Sequence, residues 1–371
     1  MQYDLNDLPL QRLLPAISQA EDRLARLDER ALRHAVGEGF RERGHFFDAA
    51  AALWVGGELV HIEDLVLHDA HMDVRAPTHE LTIAHAVLRA RRRLWNADPD
   101  WGTSAAGIEA LRSGADSAED IVRPAQPVST AADERDEPID EEDALAAEFA
   151  EIDAILARSE RVLEVGRSLS EGRPAAASAD PLGLVHDEEW DEEARLQIWR
   201  DVMRDADRLP PTLAAAALFD AWEQIEPLRR QHWLGSLLAS AYLRGRGKLT
   251  SHLFALNIGL KSVRHERRRS PDRMVRLLAF LDALVQAADA GLKELDRLSM
   301  AKSQMERRMK DRRSSSSLPG VIELVLSRPI VSVNMVARHV DVTGRGALKL
   351  VGELALREMT GRGRYRAWGV L

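Results

Sequence analysis

Apolar residues in this chain return at spacings of three and four. Leu10, Leu13, Leu14, Ile17, Ala20, Leu24 and Leu27 make the first such stripe, and this is the period that gathers side chains on one face of an α-helix. Ala, Leu and Arg are the dominant residue types, and all three favour helix. The segment from Gly44 to Ala70 predicts a helix beginning near Phe46, broken at Gly56-Gly57 and followed by a second apolar segment. "APTHELTIAHAVLRARRRLW" predicts another, with Pro77 near its start and Thr78 or Thr82 available as a cap. Residues 1–112 therefore read as an N-terminal helical region.

The period stops at residues 113–143. That stretch is acidic, contains Pro124, Pro127 and Pro138, and has no apolar repeat, so it reads as a disordered linker. Residues 144–313 read as a helical bundle body: a helix over 144–169, a short linker, and then a series of helices. One of these stops at Pro210-Pro211, and two strongly apolar ones lie within 213–243. Residues 270–313 predict one or two long helices capped by Ser270, and Ser314–Ser317 a hinge. The fold class expected is mainly α, a helical body with a C-terminal winged helix-turn-helix.

The winged helix-turn-helix reading comes from residues 318–371. Pro319 opens a helix, "RPIVSV" is extended, and Ser332 caps a second helix. Asp341 stands where such turns often carry glycine, and Asp tolerates a left-handed backbone better than most residues. Thr343 caps a third helix whose inner face is Ala347, Leu350 or Val351, and Leu354. Gly344, Arg345, Leu348, Lys349 and Gly352 then face outward. "MTGRGRYRAWGVL" reads as a two-stranded hairpin, with Arg362, Arg364 and Arg366 on alternate residues and Tyr365 and Trp368 packing it onto the helices.

Charge supports this division. The chain carries −9 overall, but residues 300–371 carry +8 and residues 1–299 carry −17. A basic end on an acidic body suits a nucleic-acid-binding module attached to something else. In a winged helix the third helix enters the major groove of double-stranded DNA. Arg345 would read a guanine edge and Lys349 a base or phosphate. Thr343, Gly344 and Gly346 would bring the helix end close to phosphate, and Arg362, Arg364 and Arg366 would reach a flanking phosphate or the minor groove. Further basic clusters stand at 89–94 and 261–273. The competing use of a winged helix is protein contact.

Other chemistries are weakly signalled. Six of the twelve histidines lie between residues 45 and 85. His61, His68, His71 and His79 are the candidates for a metal site, but His79 and His85 are six apart rather than the four that put two ligands on one helical face. Capping, core hydrogen bonds and surface account for these histidines more simply. Arg75 with Asp69, Asp73 or Glu63 reads as a structural ion-pair network. No cysteine is present, which removes disulfides and thiolate chemistry. No nucleotide-binding glycine loop occurs, and no cofactor is expected. No apolar run approaches the ~20 residues of a membrane span, and the first residues lack a secretory pattern, so a cytoplasmic location is expected.

Residues 57–94 together with 342–371 resemble a family of alpha-proteobacterial, often plasmid-borne proteins that join a domain of unknown function to a C-terminal helix-turn-helix. The resemblance implies DNA binding and no established activity. A more distant likeness is to Fic-domain proteins, which transfer AMP to hydroxyl side chains. Where their signature would fall, this chain has Glu226-Pro227-Leu228 and Arg230-Gln231-His232-Trp233-Leu234. The base histidine, the phosphate-cradling glycines and the arginine are missing, so the likeness implies a degenerate Fic-like scaffold with no catalytic residue carried over.

The function expected is a DNA-binding transcriptional regulator whose helical body dimerises or senses a ligand or protein partner. The apolar helices of 213–243 and 273–299 are candidates for a homodimer contact. The alternatives are a divergent Fic-type transferase or metal-dependent enzyme, and a protein-interaction scaffold with a basic C-terminal module.

Overall fold

The computed structural model describes residues 3–5, 8–72, 76–116, 190–309, 317–360 and 366–370. The expected linker from residue 117 onward and the helix at 144–169 lie outside the described residues. So do Asp73 and Arg75.

Helix α1 spans Leu10–Arg33 and buries Leu13, Ile17, Ala20, Leu24 and Leu27, while Leu10 and Leu14 stay exposed. The buried stripe is thus narrower than the sequence stripe. Helix α2, Gly37–Gly56, stops where Gly57 takes a φ of +91°. It begins nine residues before the expected Phe46. Gly37, Gly39 and Gly44 dilute the helical signal there, and tertiary packing outweighs that weak propensity. Helices α3 (Ile62–Asp69) and α4 (His79–Asn96) follow, and the Thr78 hydroxyl caps α4 by accepting from the Leu81 N–H at 3.2 Å. A 3₁₀ turn at Trp101–Thr103 and helix α5, Ala105–Asp116, complete this part.

After residue 189 come α6 (Glu192–Ala206), α7 (Pro211–Ile225), α8 (Leu234–Gly245), α9 (Leu256–Ser262), the single turn α10 (His265–Arg268) and the 37-residue α11 (Arg273–Met309). The long helix is one element. Its cap is Asp272 and not Ser270: the Asp272 carboxylate accepts from the Met274 N–H at 2.8 Å, while the Ser270 hydroxyl accepts from the Asp272 N–H.

The described residues of 3–116 and 191–309 share one hydrophobic core. α1 lies along α11, α2 packs on α4 and α9, and α7 packs on α6 and α8. The two apolar helices within 213–243 are spent inside this core. Leu213 to Leu218, Ala221 and Trp222 are buried, as are Leu234 to Leu243. A helix apolar on all sides is a core helix, so these faces cannot supply the dimer contact expected of them. Leu277, Phe280, Leu281, Leu284, Leu295 and Leu298 of α11 are buried in the same way.

Charges are spent inside the body as well. Arg91 and Asp48 are both fully buried and paired. Arg91 also donates to the carbonyls of Leu253 at 2.9 Å and Phe254 at 3.2 Å. Asp48 accepts from the Asn257 backbone N–H at 2.7 Å and its side-chain amide at 3.0 Å. Burial pushes the Asp48 carboxyl up, and Arg91 and the Asn257 donors oppose that shift. Both terminal guanidinium nitrogens of Arg91 and both Asp48 oxygens have partners, the satisfaction a buried ion pair requires, while the buried Arg91 Nε has none among the described residues.

Among the described residues no helix is long and apolar enough to cross a membrane, and no group of three or more metal-ligating side chains could hold an ion. The Asp69 carboxylate takes Arg92 at 2.6 and 3.1 Å and His85 at 3.4 Å. The histidine-rich region thus holds a structural ion-pair network whose cation is Arg92. His68 stacks edge-on to His85 at 4.7 Å, and His61 and His79 sit exposed at the starts of α3 and α4. His71 is an exposed turn residue with φ +54°.

Candidate nucleic-acid interface

The C-terminal module begins with helix α12, Leu318–Ser327, which has Pro319 in its first turn. Strand β1 is Val331–Ser332, and helix α13 runs from Val333 to His339. Ser332 is extended, and its hydroxyl accepts from the Met335 N–H at 3.3 Å. The turn after α13 is the tight one expected. Asp341 takes the left-handed conformation, φ +50°, and the Val342 N–H donates to the Ala337 carbonyl at 3.0 Å. Thr343 then caps helix α14, Gly344–Leu354, its hydroxyl accepting from the Gly346 N–H at 3.2 Å.

Helix α14 has two distinct faces. Ala347, Val351 and Leu354 are buried against α12 and α13. Gly344, Arg345, Leu348, Lys349 and Gly352 are exposed. Arg345 and Lys349 stand one turn apart, and no carboxylate among the described residues pairs with either. Leu348 is 44% exposed between them.

The glycines of α14 are informative because the fold does not need them. A Cβ on Gly352 would meet nothing within 4 Å, and one on Gly344 would meet only Val333 at 3.8 Å. Each interior helical glycine costs roughly 0.5–1 kcal/mol relative to alanine. At Gly344 and Gly352 no internal crowding requires glycine, and the absence of a side chain leaves the helix backbone open to close approach from outside.

The wing is a sheet of three strands rather than the expected two. Strand β2, Arg357–Glu358, and strand β3, Ala367–Gly369, form the hairpin, and β1 pairs antiparallel on the other side of β3. Val331 faces Trp368, and Glu358 faces Trp368 from the opposite strand. Trp368 is buried and packs the wing onto the helices. The extended conformation expected of "RPIVSV" is present, and its pairing with β3 makes two of those residues a third strand.

Arg366 is exposed but engaged. It donates to Glu358 from Nε at 3.0 Å and from Nη2 at 2.6 Å, and its guanidinium lies 5.2 Å from the Trp368 ring. The hydrogen bond and charge of Glu358 raise the Arg366 pKa, and Glu358 is correspondingly held below its ordinary value. Arg362, Arg364 and Tyr365 lie outside the described residues. Two further exposed cations, Arg338 on α13 and Arg357 on β2, flank α14. Both become legible once α13 and the wing are known to flank α14.

The module is seated on the body. Gly39 of α2 approaches α12 so closely that a Cβ would lie 2.8 Å from the Leu326 carbonyl oxygen. Arg43, 2% exposed, donates to the carbonyls of Val325 (3.3 Å) and Arg328 and to Glu294 of α11 (3.0 Å). Burial pushes Arg43 down to about 10, and Glu294 opposes the shift. Arg297 donates to the Val370 carbonyl at 2.5 Å, and Arg308 donates to that of Leu354. Of the expected hinge only Ser317 is described, and the two parts it joins are in direct contact.

A family model described as "Protein of unknown function (DUF1612)" matches residues 184–310, and one described as "HTH DNA binding domain" matches residues 318–371. The second match covers the module whose cap, turn and outward face are set out above. The chain is also 46% identical, over the whole length of both, to "Uncharacterized protein y4cF" of Sinorhizobium fredii (strain NBRC 101917 / NGR234). The chain therefore belongs to this alpha-proteobacterial family, in which a domain of unknown function precedes a C-terminal helix-turn-helix DNA-binding domain.

Proposed function

We propose that the protein is a transcriptional regulator that reads double-stranded DNA with α14 in the major groove. The observation that carries this is the outward face of α14, where Arg345 and Lys349, one turn apart and without a carboxylate partner among the described residues, lie between Gly344 and Gly352, which the fold leaves uncrowded. Arg345 reads a guanine edge, Lys349 takes a base or phosphate, and Leu348 offers an apolar contact of the kind a thymine methyl accepts. Thr343, Gly344 and Gly346 bring the helix N-terminus against phosphate. Arg366, Arg362 and Arg364 extend the contact along the wing, and Arg338 adds a backbone contact from α13. One winged helix has a small footprint, so the regulator acts as a homodimer on paired half-sites. With no membrane-spanning helix among the described residues, a cytoplasmic location fits this role.

The test is binding of the purified protein to the DNA upstream of its own coding sequence and to an unrelated duplex across a salt series. Selective binding is expected, with a log–log salt slope of about −0.9 for each phosphate neutralised. Arg345→Ala should relax the selectivity and Lys349→Ala should reduce the slope. Equal, weak binding to both duplexes would reduce the reading to non-specific attraction. No binding even at low salt would make the module a protein-contact device.

A further inference from the structure

A cavity of about 480 Å³ opens between α1, α2, α9 and α11. That volume is in the range that takes a small organic molecule. Its walls are mainly apolar: Phe40, Phe47, Ala51 and Trp54 come from one face of α2, with Leu59 beyond its end. Gly44 faces the same space, and a Cβ there would meet nothing within 4 Å. A larger residue in mid-helix would have improved both helix propensity and packing. Trp54 and Leu59 are exposed at the mouth, 40% and 69%.

Lys261 and Glu294 are two of its polar lining groups. Lys261 is exposed at the mouth, its Nζ 5.3 Å from the Trp54 ring centroid, and no carboxylate among the described residues pairs with it. Glu294 lines the other end, where it meets Arg43. Eleven residues of α2 separate Arg43 from Trp54, roughly 16 Å at the helical rise. Arg41 and His252 line the cavity as well, but Arg41 lies over the Trp95 ring and beside Glu38, and burial holds His252 neutral. Lys261 is thus the cation without a carboxylate partner among the described lining residues and suits one negative charge. A phosphate would call for several donors or an arginine fork.

Glu294 is also the fastening point of the winged helix. Its carboxylate accepts from Arg43 at 3.0 Å and from Arg297 at 2.5 and 2.7 Å. Arg43 holds the C-terminal end of α12 through the carbonyls of Val325 and Arg328, and Arg297 holds the end of β3 through that of Val370. Burial raises the Glu294 pKa, but Arg297 and Arg43 outweigh that and keep it below its ordinary value. The wall of the cavity is thus one carboxylate away from both attachments of the DNA-binding module.

We propose that this cavity is an effector site for an apolar monocarboxylic acid, bound with its carboxylate at Lys261 and its carbon body along α2 toward Glu294, and that occupancy alters the seating of the winged helix through Arg43 and Arg297. What the coupling regulates rests on the DNA-binding reading above, but the site and the coupling are both measurable without DNA. A ligand moves such an equilibrium only by its differential affinity for the two seatings.

The probes are decanoate and 2-naphthoate, with decan-1-ol as the uncharged control, added to the full chain in isothermal calorimetry. One carboxylate should bind saturably, and Lys261→Glu, a change at an exposed rim, should weaken it by about tenfold or more while leaving decan-1-ol unchanged. Ala51→Phe, which fills the cavity, should abolish binding of both. Should that variant fold poorly, Lys261→Glu alone decides. Heat from neither acid, or equal affinity for acid and alcohol in both proteins, would overturn the site. Hydrogen exchange of the amides in 318–327 and 367–370 should change when the acid is bound, and unchanged protection in both would overturn the coupling. Failure of DNA binding in a protein that still passes these two tests would count against the DNA reading alone.

Discussion

Two arginine-rich regions of this chain look alike in sequence and behave oppositely in the fold. In "RARRRL", Arg91 is sealed in the core against Asp48, Arg92 forks onto Asp69, and Arg93 donates to the Ala110 carbonyl at 2.9 Å. In the cluster at 261–273, Arg267 pairs with Asp282 at 2.6 Å and Arg269 with Glu223 at 2.7 Å, while Lys261 has no carboxylate partner among the described residues. In the winged helix, Arg345, Lys349, Arg338 and Arg357 face solvent without a carboxylate partner among the described residues. A run of positive charge therefore says little about nucleic-acid binding. What matters is whether the fold has already supplied the counter-charge.

The largest expected effect lies in the body. Asp48→Ala leaves Arg91 buried and uncompensated and should cost about 3–5 kcal/mol in urea unfolding. A loss under about 1 kcal/mol would mean that water reaches the pair, and it would blur the contrast between the regions.

Acid should separate the regions next. Burial pushes His252 down to about 4, with Arg91 and Arg41 adding to the effect and Asp28 opposing it. His45 is also held well below its ordinary value, first by burial and then by Arg91, Arg92 and Arg41. A folded-state histidine pKa below the unfolded one means that the unfolded chain holds more protons between the two. Stability is then complete above the ordinary histidine range and falls as pH drops toward 4. By pH 5 His252 alone should remove about 2 kcal/mol. Urea midpoints at pH 7.5 and 5 read this, and His252→Gln should lessen the drop. Equal midpoints would place protons or water where the fold excludes them.

A comparable free energy, moved from stability to binding, is expected at α14. Arg345→Ala should cost about 1–3 kcal/mol of selective DNA affinity with little change in melting temperature. Arg269→Ala should do the reverse, lowering the melting temperature slightly and leaving DNA affinity unchanged. Exchange of these two outcomes would break the comparison outright.

The smallest effect sharpens it. Thr343→Ala removes the cap of α14 and should cost about 1 kcal/mol of helix stability, visible as faster amide exchange at Gly346. DNA affinity should fall with it, because the same helix end presents Gly344 and Arg345. Faster exchange with unchanged affinity would move the contact away from the helix N-terminus.

Much of the candidate interface was legible because its determinants are local. Ser332, Asp341 and Thr343 act on backbone groups two to four residues away, so their spacing alone predicts cap, turn and cap. The outward face of α14 follows from the same short-range period. The wing was only half legible, since β1 becomes a strand through its pairing with β3, some 35 residues later. The dimer faces assigned to 213–243 failed for a related reason. Apolar residues all round a helix announce burial, but not whether the covering surface belongs to the same chain.

The sequence by itself determined most of the helices, the caps at Thr78, Ser332 and Thr343 and the left-handed turn at Asp341, because each depends on neighbours within a turn or two. Tertiary structure alone decided which arginines remain free. Arg91 finds carbonyls 162 and 163 residues away, and Arg43 finds Glu294 at a separation of 251. Tertiary structure also decided that an apolar cavity stands beside the carboxylate that fastens the winged helix. A buried charge must find its partners wherever the fold brings them, and no local pattern records where that will be.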